Sequence, residues 1–138
     1  MTEKREAIEL CLTFSGAYED YPFDEGVWAA MRHEGNRKVF AFVLERDGKY
    51  FINVKHTPED GIIWRELYPA ITPAYHMNKV HWSSVLLDGS LKDSTIYKLI
   101  EDSYDLTRPK IRNAKRSAAV DTILNKTNID FKKLSGGY

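Results

Sequence analysis

Apolar and polar positions repeat along this chain with two different periods. Ile8, Cys11 and Leu12 recur at i, i+3 and i+4, the spacing of one helix face. Thr2 reads as the cap of this first helix and Ser15-Gly16 as its stop. The period then shortens. Residues 27–33, 38–45 and 49–55 are rich in β-branched and aromatic side chains and read as three strands. Glu34-Gly35-Asn36-Arg37 joins the first pair and Arg46-Asp47-Gly48 the second. Connections this short demand antiparallel neighbours, and Asp-Gly is a strong hairpin signal. Between the first helix and these strands, Tyr18-Glu19-Asp20-Tyr21-Pro22-Phe23 reads as a loop, because Pro22 bars regular pairing. Its aromatics either fold back over the core or form an exposed recognition edge.

Thr57-Pro58-Glu59-Asp60 opens a second helix with a natural N-cap, a proline suited to the first turn and two acids that complement the helix dipole. Tyr68-Pro69 ends it. Residues 82–87 read as a strand closed by Asp88-Gly89. A third helix follows, capped by Asp93 or Ser94, with Ile96, Leu99, Ile100, Ser103 and Tyr104 on one face. Pro109 ends it. The reading is one α+β domain over residues 1–108, then a basic extension over 109–138 that is partly helical or disordered.

Composition narrows the function. Aromatic residues make up 12% of the 138, too many for a wholly disordered chain. Lys and Arg balance Asp and Glu at a net charge of zero, which excludes a histone-like polycation. Residues 1–105 nevertheless hold 12 basic against 18 acidic side chains, and residues 106–138 hold 8 against 2. That asymmetry suggests either a polyanion partner or a tail lying on its own acidic domain. Cys11 is the only cysteine and reads as a core thiol, so a disulfide scaffold is excluded. No apolar run reaches membrane-spanning length, and Met1 to Glu6 lack the apolar stretch of a signal peptide. The expected location is the cytoplasm, and no membrane partner is expected.

Signals for catalysis are absent. His33, His56, His76 and His81 show no zinc-motif spacing, and neither a phosphate-binding glycine loop nor a nucleophile elbow is present. Ser83 and Ser84 point to opposite faces of their strand and cannot act as a pair. The expectation is a binding protein without catalytic residues, metal or cofactor. Its densest chemical cluster is Tyr75, His76, Asn78, Lys79, His81 and Trp82. Rings beside cations suit nucleic acid, where bases stack and phosphates pair. The structural alternative buries Tyr75 and Trp82 and sets His76 and Asn78 against irregular backbone.

These residues also carry a resemblance. Tyr18-Glu19-Asp20-Tyr21-Pro22-Phe23, Pro73-Ala74-Tyr75-His76-Met77-Asn78-Lys79, His81-Trp82, Leu87-Asp88-Gly89 and Ser103-Tyr104-Asp105-Leu106 together resemble the MmcQ/YjbR family of small bacterial proteins. The similarity runs from about Glu6 to about Leu106. It implies a two-layer α/β sandwich of order α-β-β-β-α-β-β-α, likened to secretion-chaperone folds, with Ala74 to Met77 as the short fourth strand. The family is often labelled DNA-binding, of a double-wing type. By position the wing tips would carry Arg37 and Lys38, and Arg46 and Lys49. Asp24-Glu25-Gly26 departs from the family's usual glycine after Pro22-Phe23. The basic extension lies outside the resemblance and adds Lys110, Arg112, Lys115 and Arg116. The expected partner is DNA, bound without sequence specificity and sensitive to salt. The alternative is a protein or small ligand held by a chaperone-like sheet. A monomer is expected.

Overall fold

The computed structural model describes residues 1–23 and 27–110. The unit Met1–Arg108 carries helices α1 (Lys4–Leu12), α2 (Pro58–Leu67) and α3 (Asp93–Thr107). Its strands are β1 (Ala17–Asp20), β2 (Trp28–His33), β3 (Val39–Arg46), β4 (Lys49–Lys55), β5 (Ile71–Pro73) and β6 (Trp82–Leu86). All pairings are antiparallel, in the order β1-β2-β3-β4-β6-β5. The fold is α+β, as the alternating segments and short turns require. Asp47 and Gly48 both take positive φ between Arg46 and Lys49, so the β3–β4 hairpin closes on a two-residue turn.

Four local expectations are corrected. Ala17–Asp20 is an edge strand rather than part of a loop. Pro22 stands two residues beyond the pairing and does not obstruct it. The short strand after α2 is Ile71–Pro73, not Ala74–Met77. Pro73 ends it at the sheet edge, where a missing N–H costs nothing, and Ala74 to Met77 turn away. The cap of α1 is Glu3, not Thr2. Glu3 and Glu6 satisfy each other's backbone N–H groups in a capping box. The cap of α3 is Lys92, with Asp93 already in the first turn. Thr57 caps α2 as its sequence requires, accepting from Asp60 N at 3.0 Å.

The two faces of the sheet differ. On one, α1 and α3 lie across the central strands and bury Ala7, Ile8, Cys11, Ile96, Leu99 and Ile100 against Met31, Phe40, Val43, Ile52, Val54 and Val85. Burial pushes the Cys11 thiol up to about 12, so it stays protonated and acts as a small core apolar group. Ser103 ties α3 to the sheet: its hydroxyl donates to Phe40 O at 2.5 Å and accepts from Lys55 N at 2.8 Å. The opposite face holds a second apolar cluster of Ala30, Phe42, Leu44 and Phe51, flanked by Trp28, Val39, Met77, Trp82 and Leu86. No described helix contributes to that cluster. Loops and side chains cover it instead.

Candidate functional site

The sequence candidates separate into three places. Consecutive hairpins of an antiparallel sheet turn at opposite ends. Arg37 and Lys38 sit in the β2–β3 turn at one end of β3, and Arg46 and Lys49 flank the β3–β4 turn at the other. At about 3.4 Å per residue, the eight residues of β3 hold the two turns some 25 Å apart. They do not form one tip. Arg37 has a positive φ, and its carbonyl accepts from Arg32 Nη1 at 2.8 Å. Arg32 also pairs with Asp20 at 2.8 Å. Lys110 is exposed. Arg112, Lys115 and Arg116 lie outside the described residues, as do Asp24, Glu25 and Gly26.

The turn at Arg46 meets the cluster from 75 onward. The Arg46 guanidinium lies 4.5 Å from the Tyr75 ring centre and 5.0 Å from that of Phe51. Tyr75 is 41% exposed, and the His76 ring lies 3.8 Å from it. His76 takes a positive φ, which turns the chain back after β5. Asn78 stabilises the same loop: its side-chain oxygen accepts from Val80 N and its carbonyl accepts from Trp82 N, both at 2.9 Å. Lys79 is exposed, and its carbonyl accepts from Arg65 of α2. The His81 carbonyl accepts from His56 N. Asn78 therefore does the backbone work that an irregular loop needs, while Tyr75 faces solvent and Trp82 is half-buried.

From Trp82 a chain of rings crosses the helix-free face. Trp82 stands 6.0 Å from Phe42, Phe42 stands 5.5 Å from Trp28, and Phe23 lies 6.1 Å from Trp28. Phe23 is itself 55% exposed. Of the two readings of the 18–23 aromatics, Phe23 thus combines both, touching the second cluster while remaining largely open. Charge is divided between the faces. The helices carry Glu6, Glu9, Glu59, Asp60, Glu66, Asp93, Glu101, Asp102 and Asp105 against Lys4, Arg5, Arg65 and Lys98. The helix-free face has Arg46 on its apolar floor, with Asp47 at 4.0 Å, and Arg32 beside it, with Asp20 as its partner. The helices thus carry most of the net negative charge of residues 1–105, although half of the acids lie outside them.

Two polar pairs escaped the sequence reading. Buried His56 and Ser83 meet with Nε2 2.7 Å from Oγ, and His56 Nδ1 donates to Thr57 O at 2.8 Å. That fixes Nε2 as the acceptor of the Ser83 hydroxyl. The cavity beside them, lined by Trp64, Leu99 and Leu106 among others, is about 20 Å³. This is room for a single water. The pair serves packing between α2 and β6. The second pair is Asn53 with Ser84, whose hydroxyl donates to Asn53 Oδ1 at 2.6 Å. Ser83 and Ser84 do face opposite sides of the sheet. Both pairs follow from one register, Lys55 opposite Trp82. Neither sequence spacing nor residue type announces it. Among the described residues, no three His, Cys, Asp or Glu side chains converge to hold a metal, and no helix is long and apolar enough to cross a membrane.

The fold recurs in known proteins. The YjbR family model matches residues 12–106. The Escherichia coli K12 protein YjbR is 33% identical over 115 residues, covering 83% of this chain and 95% of its own length. YbdF of Escherichia coli O157:H7 is 39% identical over 99 residues, 72% of this chain and 71% of its own. The names of these relatives state no activity. A crystal structure from Pseudomonas syringae superposes with a TM-score of 0.69 at 34% identity, covering 77% of this chain and 99% of that one. A Deinococcus radiodurans protein with a DUF419 domain gives 0.70 at 26% identity, covering 91% and 89%. The matched span, the identities of these relatives and the shared fold agree: the chain belongs to the YjbR family.

Proposed function

We propose that this YjbR-family chain is a non-catalytic binding protein whose helix-free face holds single-stranded nucleic acid. One observation carries the reading. Arg46 bridges exposed Tyr75 and Phe51, and Phe51 belongs to the same apolar cluster as the rings of Trp82, Phe42 and Trp28. Exposed Tyr75 and half-buried Trp82 and Trp28 offer stacking surfaces for unpaired bases, each worth about 1–3 kcal/mol, with buried Phe42 as the floor between the indoles, and a guanidinium at the rim meets phosphate. The two hairpin turns stand too far apart to act as one basic tip. That favours a strand laid across the face over a duplex gripped between wings. The helices hold most of the net negative charge of residues 1–105, which favours this face over theirs for a polyanion.

The experiment is titration of mixed-sequence single-stranded and duplex DNA at about 50 and 200 mM salt, a span over which phosphate-dominated binding falls steeply. Single strands are expected to bind more tightly than duplex, and Arg46→Ala to weaken single-strand binding about tenfold, the loss of one charge-assisted contact. Absence of binding at the lower salt, or equal binding by Arg46→Ala, contradicts the proposal. A protein partner is the second reading. Ile62, Ile63 and Leu67 stand more than half exposed on α2, as does Val80, and exposed aliphatic patches mark protein contacts. Recovery of a stable partner that Ile63→Glu releases, with no DNA binding, supports that reading instead.

A further inference from the structure

The helix-free face contains one polar group that the fold leaves poorly served. Asn53 sits in the middle of β4, between Phe42 on β3 and Ser84 on β6, with no exposed surface. Ser84 fixes the orientation of its amide. The backbone N–H of Tyr75 donates to Ser84 Oγ at 3.4 Å, and the Ser84 hydroxyl hydrogen goes to Asn53 Oδ1 at 2.6 Å. The amide nitrogen therefore faces the 75–78 loop, where it meets the Met77 thioether at 3.4 Å. An amide nitrogen carries two N–H donors, and a thioether is a weak acceptor. Among the described residues, no oxygen or nitrogen accepts from either donor. A buried donor in that condition is costly, and an aliphatic side chain would suit its neighbours Phe42, Phe51 and Met77 better. Met77 is unbranched and half-buried, a side chain able to move without disturbing the sheet.

We infer that Met77 is a displaceable plug over a base-reading position, in which Asn53 Nδ2 donates to a carbonyl oxygen on the edge of an unpaired nucleobase. The base lies beside Trp82, and its phosphate is directed toward Arg46 on Tyr75. This rests on the nucleic-acid reading above and adds selectivity to it. Stacking alone accepts any base. Asn53 Oδ1 turns to Ser84 and Nδ2 to Met77, so the side of the amide that faces the loop carries donors only. Thymine, cytosine and guanine offer a carbonyl acceptor. Adenine has no carbonyl: its acceptors are ring nitrogens, and at the thymine carbonyl's position it sets an amino donor against the Asn53 donors.

The test compares oligothymidine with oligodeoxyadenosine of equal length on the full chain, at about 50 mM salt. A preference of about tenfold for oligothymidine is expected, the effect of one buried hydrogen bond, and Asn53→Leu should erase it. The Asn53 side-chain amide resonances, followed by NMR in the unsubstituted chain, provide a readout that does not depend on the variant folding. They should shift with oligothymidine and stay with oligodeoxyadenosine. Equal affinity for the two oligomers, with unmoved Asn53 amide signals, overturns the inference and leaves nucleic-acid binding standing. Failure of both oligomers to bind removes both.

Discussion

Gly61→Ala is expected to destabilise the protein by roughly 2 kcal/mol, although the same change inside an ordinary helix gains about 1 kcal/mol. Gly61 is buried in α2 directly over His56. A Cβ there would lie 2.2 Å from His56 Cε1 and 2.6 Å from Nδ1. The ring cannot swing aside cheaply, because it is held by Thr57 O on one nitrogen and Ser83 Oγ on the other. Moving it forfeits two buried hydrogen bonds; leaving it forces α2 away from the sheet. Urea unfolding of the parent, Gly61→Ala, His56→Ala and the double variant measures the effect. The double variant should be more stable than the two single losses added together, since removing the ring makes room for the methyl. A Gly61→Ala protein as stable as the parent contradicts this account of how α2 docks.

The second large effect is loss of stability in mild acid. His33 and His56 are both buried, and burial is the main reason that each is held below the ordinary histidine value of 6.5. Arg108 and Lys38 push His33 the same way, against a backbone hydrogen bond at Tyr104. For His56 the Thr57 backbone bond opposes burial, while Arg65 assists it. His33 Nε2 meets Thr107 Oγ1 at 2.8 Å, and that hydroxyl already donates to Ser103 O, so the neutral ring donates here. The sign follows from the folded value lying below the unfolded one. Above about 6.5 both states are neutral and the full stability is present. As pH falls through 6.5 the unfolded chain takes up protons that the folded chain refuses, and stability drops by up to about 1.4 kcal/mol per pH unit for each histidine. The drop ends below the lowered folded values. The urea midpoint should therefore fall between pH 7.5 and pH 5, and the fall should shrink in His33→Gln and His56→Gln. A flat midpoint over that range, or an unchanged slope in both variants, is the contrary result.

How much of this could be read in the chain depends on the range of each interaction. Asp47-Gly48 between two aromatic-rich runs specifies a hairpin within a few residues, and Thr57-Pro58 specifies a helix start in the same local way. The α+β class follows from such signals. β1 was hidden because its support is distant. Glu19 is held by Arg5 of α1 at 3.0 Å and Asp20 by Arg32 of β2 at 2.8 Å. Adjacent acids next to a proline carry no trace of those partners, although charge on an edge strand is a common device against unwanted pairing. The Tyr75–Trp82 cluster was visible as a local concentration of rings and cations. Its union with Arg46 was not, because Tyr75 reaches that guanidinium only after β5 and β6 have added to the far side of β4. The hairpin turns mislead in the opposite direction. Both are basic, yet the geometry of consecutive hairpins sends them to opposite ends of the sheet.

The three tryptophans allow the central claim to be tested in one spectrum. Trp28 and Trp82 flank the helix-free cluster, while Trp64 on α2 packs with the core on the other side. Titrating a single-stranded oligonucleotide into the labelled full-length chain and following the three indole N–H signals reports which face is engaged. The account predicts that Trp28 and Trp82 shift together and that Trp64 stays in place. A shift confined to Trp64, or three signals that remain still at saturating oligonucleotide, would contradict it.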